Sequence, residues 1–330
     1  MHSIQDVSNS DTVLSVKHLK IRHQQQELVE DLSFDLHSGE TIAIVGESGS
    51  GKSISSLALL GLLPKNLEVD GQIYLGQQDV LRLQPEQLRQ IRGHKIAMIF
   101  QEPMTALNPL HRVEKMIGET LLLQGWSKKK TQARVIELLK DVGIPEPQDK
   151  LRRYPHELSG GQRQRVMIAM ALALDPDILI ADEPTTALDV TLQAQILALL
   201  KSLQCSRNMA IILISHDLNL VHRYADQVVV MKQGKIEEQG KVHDIFTAPK
   251  QAYTRNLLNH DFGEAIQIVE QSNLLTLHQV GVKFPIKEGW LNRVKDYFVA
   301  VEPLNLELAH GESIGIVGES GSGRSEEHTS

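Results

Sequence analysis

The run TIAIVGESGSGKS at residues 41–53 limits the possible folds of this chain more than any other stretch. It starts with a short apolar segment, which is typical of a strand buried on both faces of a parallel sheet. A glycine-rich turn follows and leads into KSISSLALLGLL, whose pattern predicts a helix. A strand, a turn with the spacing G-x-x-x-x-G-K-S and a helix together indicate a phosphate-binding loop.

The residue types of this loop suit the binding of a nucleotide phosphate chain. Gly46, Gly49 and Gly51 let backbone N–H groups turn towards phosphate oxygens, and the helix that follows adds its positive N-terminal dipole. The Lys52 ammonium is expected to reach the β and γ phosphates, and the Ser53 hydroxyl to ligate Mg²⁺. The predicted ATP-binding residues of the loop are Gly46, Glu47, Ser48, Gly49, Ser50, Gly51, Lys52 and Ser53.

A second apolar stretch, DILIADEP at 177–184, ends in two carboxylates. Asp182 is expected at the carboxyl edge of the sheet, where ligands of open α/β sheets bind, and it is a predicted Mg²⁺ ligand, through water. Glu183 could orient and deprotonate an attacking water. An acidic turn at a strand end is the alternative, and the complete phosphate loop makes it the weaker one.

A third motif is LSGGQRQR at 158–165, just ahead of the apolar helical pattern RVMIAMALAL. A serine hydroxyl and free backbone N–H groups at the start of a helix form an anion site. The same residues could simply cap the helix. The spacing of this string ahead of the acidic strand favours the anion site.

The pattern of the whole chain predicts an α/β fold with a mainly parallel core sheet flanked by helices on both faces. Alternating apolar residues near 14–21 and 31–36 add an antiparallel β subdomain, and a polar helical region near 104–158 is inserted into the alternation. The further strand patterns of the core lie at 95–100, 177–182, 210–215 and 227–240.

The chain also contains an internal repeat. Residues 31–53 align without gaps on residues 303–325, at an offset of 272, and LSVKHLKIR from Leu14 corresponds to LTLHQVGVKF from Leu275. This offset is far larger than a solenoid period. It indicates a duplicated domain whose second copy shows its opening.

Composition excludes several classes of function. The net charge of −7 argues against general nucleic-acid binding, and the basic run SKKKTQAR from Ser127 fits a solvated helix start better than a binding patch. No apolar run is long enough for a membrane-spanning helix, and no signal peptide precedes the first strand pattern. The single cysteine, Cys205, fits a reducing compartment.

With these motifs, the chain resembles the ATP-binding cassette (ABC) ATPases, P-loop NTPases that drive ABC transporters. The family's motifs occur in its order: the phosphate loop, FQEP with Gln101, LSGGQ at 158–162, the acidic strand, ALD with Asp189 and ISHD with His216. The resemblance covers about residues 12–260 and resumes from about 274.

The resemblance implies a mechanism in which two cassettes close head to tail over two ATP molecules, each between one phosphate loop and the other cassette's signature. It makes Glu183, His216 and Gln101 catalytic, and it adds Gln101 to the Mg²⁺ ligands. Asp189 would cross the interface between cassettes. The signature residues facing the partner's ATP would be Ser159, Gly160, Gly161 and Gln162.

The family usually stacks an aromatic ring on adenine from the early strand region, and alignment of LKIRHQQQ places His23 there. Imidazole can stack but offers a smaller face. His23 is therefore either an adenine contact or an exposed loop histidine.

Longer strings, including QEPMTALNPL and APKQAYTRNLL, resemble the peptide and nickel importer branch, and the two-cassette arrangement resembles microcin C-type peptide importers. The implied function is an ATPase that powers peptide import from the cytoplasmic face of the inner membrane, as a peripheral subunit. The implied partners are two transmembrane permease subunits, a solute-binding protein and a second cassette. The alternative is a twin-cassette ATPase with a non-transport role, such as one on ribosomes.

The expected domains are a first ABC domain at 12–245 with its helical subdomain at 104–165, a linker at 246–273, and the opening of a second, truncated cassette at 274–323. Arg324 stands where the repeat would place lysine, and RSEEHTS lacks the expected apolar helix. That string resembles a translated sequencing-library adapter, so 324–330 is expected to be non-native.

Overall fold

The computed structural model describes residues 11–186, 188–259, 272–288, 293–318 and 322. Among these, 11–186 and 194–259 belong to a main unit, and 188–193 belong with the residues from 272 onward to a second unit. The expected tail at 324–330 lies outside the described residues.

One sheet of ten strands organises the main unit. Its strands are β1 (Thr12–His23), β2 (Gln26–His37), β3 (Thr41–Val45), β4 (Glu68–Leu75), β5 (Gln78–Asp79), β6 (Ile96–Ile99), β7 (Ile178–Asp182), β8 (Ala210–Ile214), β9 (Gln227–Lys232) and β10 (Lys235–Lys241). Their spatial order is β5-β4-β1-β2-β10-β9-β3-β8-β7-β6. The strands from β9 to β6 in this order are parallel, whereas β5, β4, β1 and β2 pair antiparallel. The predicted α/β fold with a parallel core and an antiparallel subdomain is confirmed.

The helices are α1 (Lys52–Leu59), α2 (Pro85–Ile91), α3 (Pro103–Ala106), α4 (Val113–Leu123), α5 (Lys128–Asp141), α6 (Pro147–Lys150), α7 (Gly160–Ala171), α8 (Val190–Arg207), α9 (Leu218–Tyr224), α10 (Val242–Thr247) and α11 (Ala252–Leu258). Short 3-10 turns lie at Val80–Arg82 and Pro155–Glu157. The predicted solvated helix start is confirmed, because Ser127 caps α5 and the lysines that follow it are exposed.

Strand β3 is buried on both faces, as its continuous apolar run predicts. Ile42 and Ile44 point into a cluster that also contains residues of β1, β2 and α1. Ala43 and Val45 point the opposite way, into a smaller cluster with Val221 of α9 and two residues of α10. Packing from both sides fixes the strand that carries the phosphate loop.

The helical insert has its own small core. Helices α4, α5 and α7 contact one another, and Ile117, Leu121, Val135 and Leu138 are fully or almost fully buried. Helix α7 continues to Ala171, past the expected subdomain boundary at 165, and packs on β6. It therefore joins the insert to the parallel core.

The second unit contains a hairpin of β11 (Asn273–Glu288) and β12 (Arg293–Ala309). Its register repeats that of β1 and β2. In the first hairpin the pairs are Leu14↔Leu36, Val16↔Phe34, Leu19↔Leu32 and Ile21↔Val29. In the second they are Leu275↔Leu308, Leu277↔Leu306, Val280↔Leu304 and Val282↔Val301. These are the equivalents given by the sequence repeat.

The two hairpins also share an irregularity. His18 has a positive φ of 49° and donates its N–H to Ser33 Oγ at 2.8 Å. Gln279 has a φ of 50° and donates its N–H to Asn305 Oδ1, also at 2.8 Å. A bulge with a side-chain acceptor across the ladder is thus repeated, although none of the four residues is identical to its equivalent.

Equivalent residues of the two sequence repeats differ in burial, and this difference allows a test of the core. Ile44 is fully buried, whereas its equivalent Ile316 is 65% exposed. Ile44→Ala is expected to lower the free energy of unfolding by about 2–5 kcal/mol, because it leaves a cavity in the sheet. Ile316→Ala, the matched control, is expected to change it by less than about 0.5 kcal/mol. Denaturant unfolding followed by circular dichroism measures both, and equal losses would contradict this core assignment.

Candidate functional site

The carboxyl ends of three parallel strands meet at one edge of the sheet. Ile44 near the end of β3 pairs with Ile214 at the end of β8, and Asp182 at the end of β7 pairs with Ile214 from the other side. Because the strands are in register, the loops after them open on a shared cleft of about 640 Å³. Its lining includes Ser48, Gly49, Gly51, Lys52, Ser53, Gln101, Glu183, Thr186 and His216.

At two positions of the phosphate loop, the backbone conformation and the close neighbours leave room only for glycine. Gly46 has a φ of 150°, and a Cβ there would lie 2.1 Å from the backbone oxygen of Met231. Gly51 has a φ of 101°, and a Cβ there would lie 2.8 Å from the backbone oxygen of Leu28. The loop is thus pressed against the main chain of neighbouring strands, which holds its N–H groups in place.

Lys52 lies under the loop and is 6% exposed. Its Nζ donates to the backbone oxygens of Gly46 and Glu47, each at 2.8 Å. Burial lowers the pKa of the Lys52 ammonium, against the opposing effect of the Glu183, Asp182 and Glu47 carboxylates. The ammonium therefore sits in a poorly solvated position, where an added anion would stabilise it strongly.

Ser53, which lines the cleft, is hydrogen-bonded to the buried Asp182 at the end of β7. Ser53 Oγ donates to Asp182 Oδ1 at 3.2 Å. Burial raises the pKa of the Asp182 carboxyl, and the charge on Glu183 raises it further, while the Ser53 hydrogen bond lowers it. A carboxylate and a hydroxyl are hard oxygen ligands of the kind that Mg²⁺ prefers, so this pair fits the predicted metal role.

Glu183 is the centre of a hydrogen-bonded group. Gln101 Nε2 and Thr186 Oγ1 each donate to Glu183 Oε2 at 2.9 Å. His216 Nδ1 lies 3.3 Å from Glu183 Oε1. Glu183 has a left-handed φ of 44°, a conformation that costs about 1–3 kcal/mol in a residue with a side chain. The backbone at this point is thus held in an unfavourable conformation that directs the carboxylate into the cleft.

The structure brings together the predicted Lys52, Ser53, Asp182, Glu183, Gln101 and His216. Sequence reasoning missed Thr186, which stands in the string DEPTT directly after the acidic strand. A hydroxyl three residues after a carboxylate in a turn was the signal that could have identified it.

The signature residues occupy a separate place. Ser159 caps α7, accepting the Gln162 N–H at 3.3 Å and donating its own N–H to Gln162 Oε1 at 3.3 Å. Gly160 is exposed. Among the described residues, the lining of the cleft does not include these positions. Their contact with a partner's ATP stays a prediction.

Two other predicted residues serve local structure. Asp189 Oδ1 accepts the Leu192 N–H at 2.9 Å in the first turn of α8. His23 lies at the end of β1, where its Nε2 meets Asn66 Nδ2 at 3.1 Å. His23 is also not part of the described lining of the cleft. The interface role of Asp189 and the adenine contact of His23 both stay predictions.

A sequence profile of the ABC transporter family matches residues 29–186, which hold the phosphate loop, the signature and the acidic strand. This part of the chain has the sequence motifs and the fold of an ABC transporter cassette. The cassette fold is also that of solved ABC structures. The dimeric, post-hydrolysis ATP-binding cassette MJ0796 with ADP and Pi is 28% identical, with a TM-score of 0.61 over 69% of this chain and 98% of that one. CbiO1 of Clostridium perfringens is 28% identical, with a TM-score of 0.64 over 72% and 92%.

Curated relatives of the cassette chain are transport ATP-binding proteins. The peptidoglycan transport ATP-binding protein YejF of Agrobacterium fabrum is 48% identical over 96% of this chain and 60% of that protein. The glutathione import ATP-binding protein GsiA of Escherichia coli K12 is 43% identical over 97% and 58%. The chain thus spans about 60% of the length of these relatives.

No helix among the described residues of the cassette chain combines the length and the apolar character that crossing a bilayer requires.

The close approach at Gly46 gives a test of the loop geometry. Gly46→Ala is expected to destabilise the protein, since overpacking costs about 1–3 kcal/mol and a positive φ adds about 1–2 kcal/mol for alanine. Gly160→Ala is the matched control, because its Cβ meets open space among the described atoms. Thermal unfolding without nucleotide is the measurement. A melting temperature of Gly46→Ala equal to that of Gly160→Ala would contradict the close approach.

Proposed function

We propose that this chain is an ATP-binding and ATP-hydrolysing subunit that powers the import of peptides or peptide-like solutes. The observation that carries the proposal is the convergence of Lys52, Ser53, Asp182 and Glu183 at one sheet edge, beside Gln101 and His216. The names of the relatives support the import of peptide-like solutes, since glutathione is a tripeptide and peptidoglycan contains peptides. They do not favour a non-transport role.

The roles follow from the contacts. The loop residues Gly46 to Ser53 would bind the ATP phosphates, with Lys52 released from Gly46 and Glu47 towards the anion. Ser53, Asp182 and Gln101 would hold Mg²⁺, which supplies positive charge to the phosphates as they react. Glu183 would orient and deprotonate the attacking water, and His216 would contact the γ phosphate.

Hydrogen bonding prepares Glu183 for this role. Gln101 and Thr186 both donate to one carboxylate oxygen, and His216 contacts the other. These contacts fix the direction of the carboxylate before substrate arrives, which removes an entropic cost from the reaction. Thr186 would therefore be a positioning residue for Glu183.

The assembly is part of the proposal. The signature at Ser159–Gln162 would contact ATP held by a second cassette, with Asp189 at the interface and His23 near adenine. Residues 274–323 would open that second cassette, as in the two-cassette ATPases of microcin C-type importers, because their hairpin repeats the register of β1 and β2. Two permease subunits and a solute-binding protein would complete an importer, with this chain bound peripherally at the cytoplasmic face of the inner membrane.

A charge-neutral substitution tests the role of Glu183. Glu183→Gln keeps the size of the side chain but removes the proton acceptor, so phosphate release is expected to fall about 100-fold or more. Binding of a fluorescent ATP analogue with Mg²⁺ is expected to stay within about threefold of the wild-type value, since general-base catalysis acts on the chemical step.

Glu119→Gln, on the exposed face of α4, is the matched control and is expected to hydrolyse ATP like the wild type. Wild-type hydrolysis by Glu183→Gln would show that another group activates the water.

A further inference from the structure

A tyrosine far from the recognised motifs contacts the phosphate loop. Tyr253 is in α11, beyond the residues that match the family profile. Its hydroxyl accepts the backbone N–H of Glu47 at 3.3 Å. The ring packs against the apolar cluster of β3 and β9, and Lys232 Nζ lies 4.6 Å from the ring centre. Burial raises the pKa of the Tyr253 hydroxyl, against the opposing effect of the Glu47 hydrogen bond.

Glu47 links this tyrosine to the lysine of the site. Its N–H is bonded to Tyr253, while its backbone oxygen accepts Lys52 Nζ at 2.8 Å. Tyr253 thus holds the peptide group before Glu47, and Lys52 holds the peptide group after it. A shift of the Tyr253 contact would therefore change the position of a group that Lys52 touches.

A buried carboxylate anchors the start of α11. Glu238 in β10 is 8% exposed and accepts the N–H groups of Lys250 at 2.8 Å and Gln251 at 3.1 Å. Burial raises the pKa of the Glu238 carboxyl, but hydrogen bonds led by the Lys250 N–H outweigh this and leave the pKa below its ordinary value. The charged form of Glu238 thus ties the segment that carries Tyr253 to the sheet.

The loop also rests on β9 and on the turn that follows it. Gly46 is pressed against the backbone of Met231, and the Gly234 N–H donates to Ser50 O at 3.1 Å. Those contacts hold the beginning and the end of the loop. Tyr253 adds a contact at Glu47, which lies between them in the sequence.

We propose that Tyr253 is a positioning residue of the nucleotide site, and that the segment 249–258 sets nucleotide affinity by holding Glu47. This inference rests on the proposed ATP-binding function of the same loop. Helix α11 would thus contribute to nucleotide binding, although the sequence analysis assigned its residues to a linker.

Removal of the hydroxyl alone tests the proposal in the full chain. Tyr253→Phe keeps the ring on its apolar cluster and beside Lys232 but leaves the Glu47 N–H without its acceptor. The affinity for a fluorescent ATP analogue with Mg²⁺ is expected to weaken by about three- to tenfold, the effect of one net hydrogen bond. In steady-state assays KM for ATP is expected to rise while kcat is kept.

Tyr74→Phe is the matched control. Tyr74 also has a lysine over its ring, with Lys17 Nζ 5.9 Å from the centre, and it lies in β4 outside the described lining of the cleft. Its affinity and melting temperature are expected to equal those of the wild type. An affinity of Tyr253→Phe equal to that of Tyr74→Phe would overturn the proposal.

Amide hydrogen exchange separates positioning from a general loss of stability. In Tyr253→Phe the peptide that contains Glu47 is expected to exchange faster, while the peptides of β3 and the melting temperature stay unchanged. Faster exchange across the whole main unit with a lowered melting temperature would instead show a purely structural role and would contradict the proposal.

Glu238→Gln tests the anchor through a double-mutant cycle. If Glu238 acts through Tyr253, Glu238→Gln weakens nucleotide binding in the wild type but adds less than about twofold in Tyr253→Phe. If the effects of the two substitutions on nucleotide affinity add fully in the double variant, Glu238 does not act through Tyr253.

Lys52→Ala distinguishes the two hypotheses. Undiminished binding by Lys52→Ala would refute the proposed function itself. Weak binding by Lys52→Ala together with unchanged binding by Tyr253→Phe would refute the Tyr253 role alone.

Discussion

The site depends on the in-register parallel pairing of β3, β8 and β7. This pairing brings the end of each strand to the same edge, although the strands come from distant parts of the chain. Burial of β3 between two apolar clusters holds that edge fixed. Strand pairing therefore brings together the phosphate loop, the acidic end of β7 and His216, as is general for ligand sites of open α/β sheets.

The two buried charged groups at this edge suit a nucleotide with its metal ion. Burial lowers the pKa of Lys52 and raises the pKa of Asp182, so each ionised group is short of solvation in the free site. A phosphate chain would add negative charge beside Lys52, and a divalent cation would add positive charge beside Asp182. A nucleotide with its metal ion would therefore oppose the effect of burial on the pKa of both groups.

The sequence predicted the elements whose signal is local and continuous. The apolar runs of β3, β7 and β8 and the glycine-rich turn are of this kind, and their strands end within a residue or two of the expected positions. The pairing of β11 and β12 agrees with the internal repeat, because equivalent residues carry equivalent apolar patterns. Hairpin registers follow from such patterns since one face of each strand is apolar.

The parts that could not be predicted depend on tertiary contact. Strand β5 is two residues long and has no pattern of its own. Tyr253 meets Glu47 across 206 positions of sequence, and Glu238 anchors a helix that follows another helix. The adenine contact of His23 stays a prediction, and its hydrogen bond with Asn66 was not predictable from the sequence. Patterns in sequence report burial and turns, but not which side chains meet.

The central claim is that residues 46–53 and 182–183 form a nucleotide site. Equilibrium titration of the full chain with Mg²⁺ and a slowly hydrolysed ATP analogue tests it most directly. The expected result is saturable nucleotide binding, weakened about tenfold or more by Lys52→Ala because a charged contact is lost. Absence of saturable binding by the folded protein, or equal binding by Lys52→Ala, would contradict the claim.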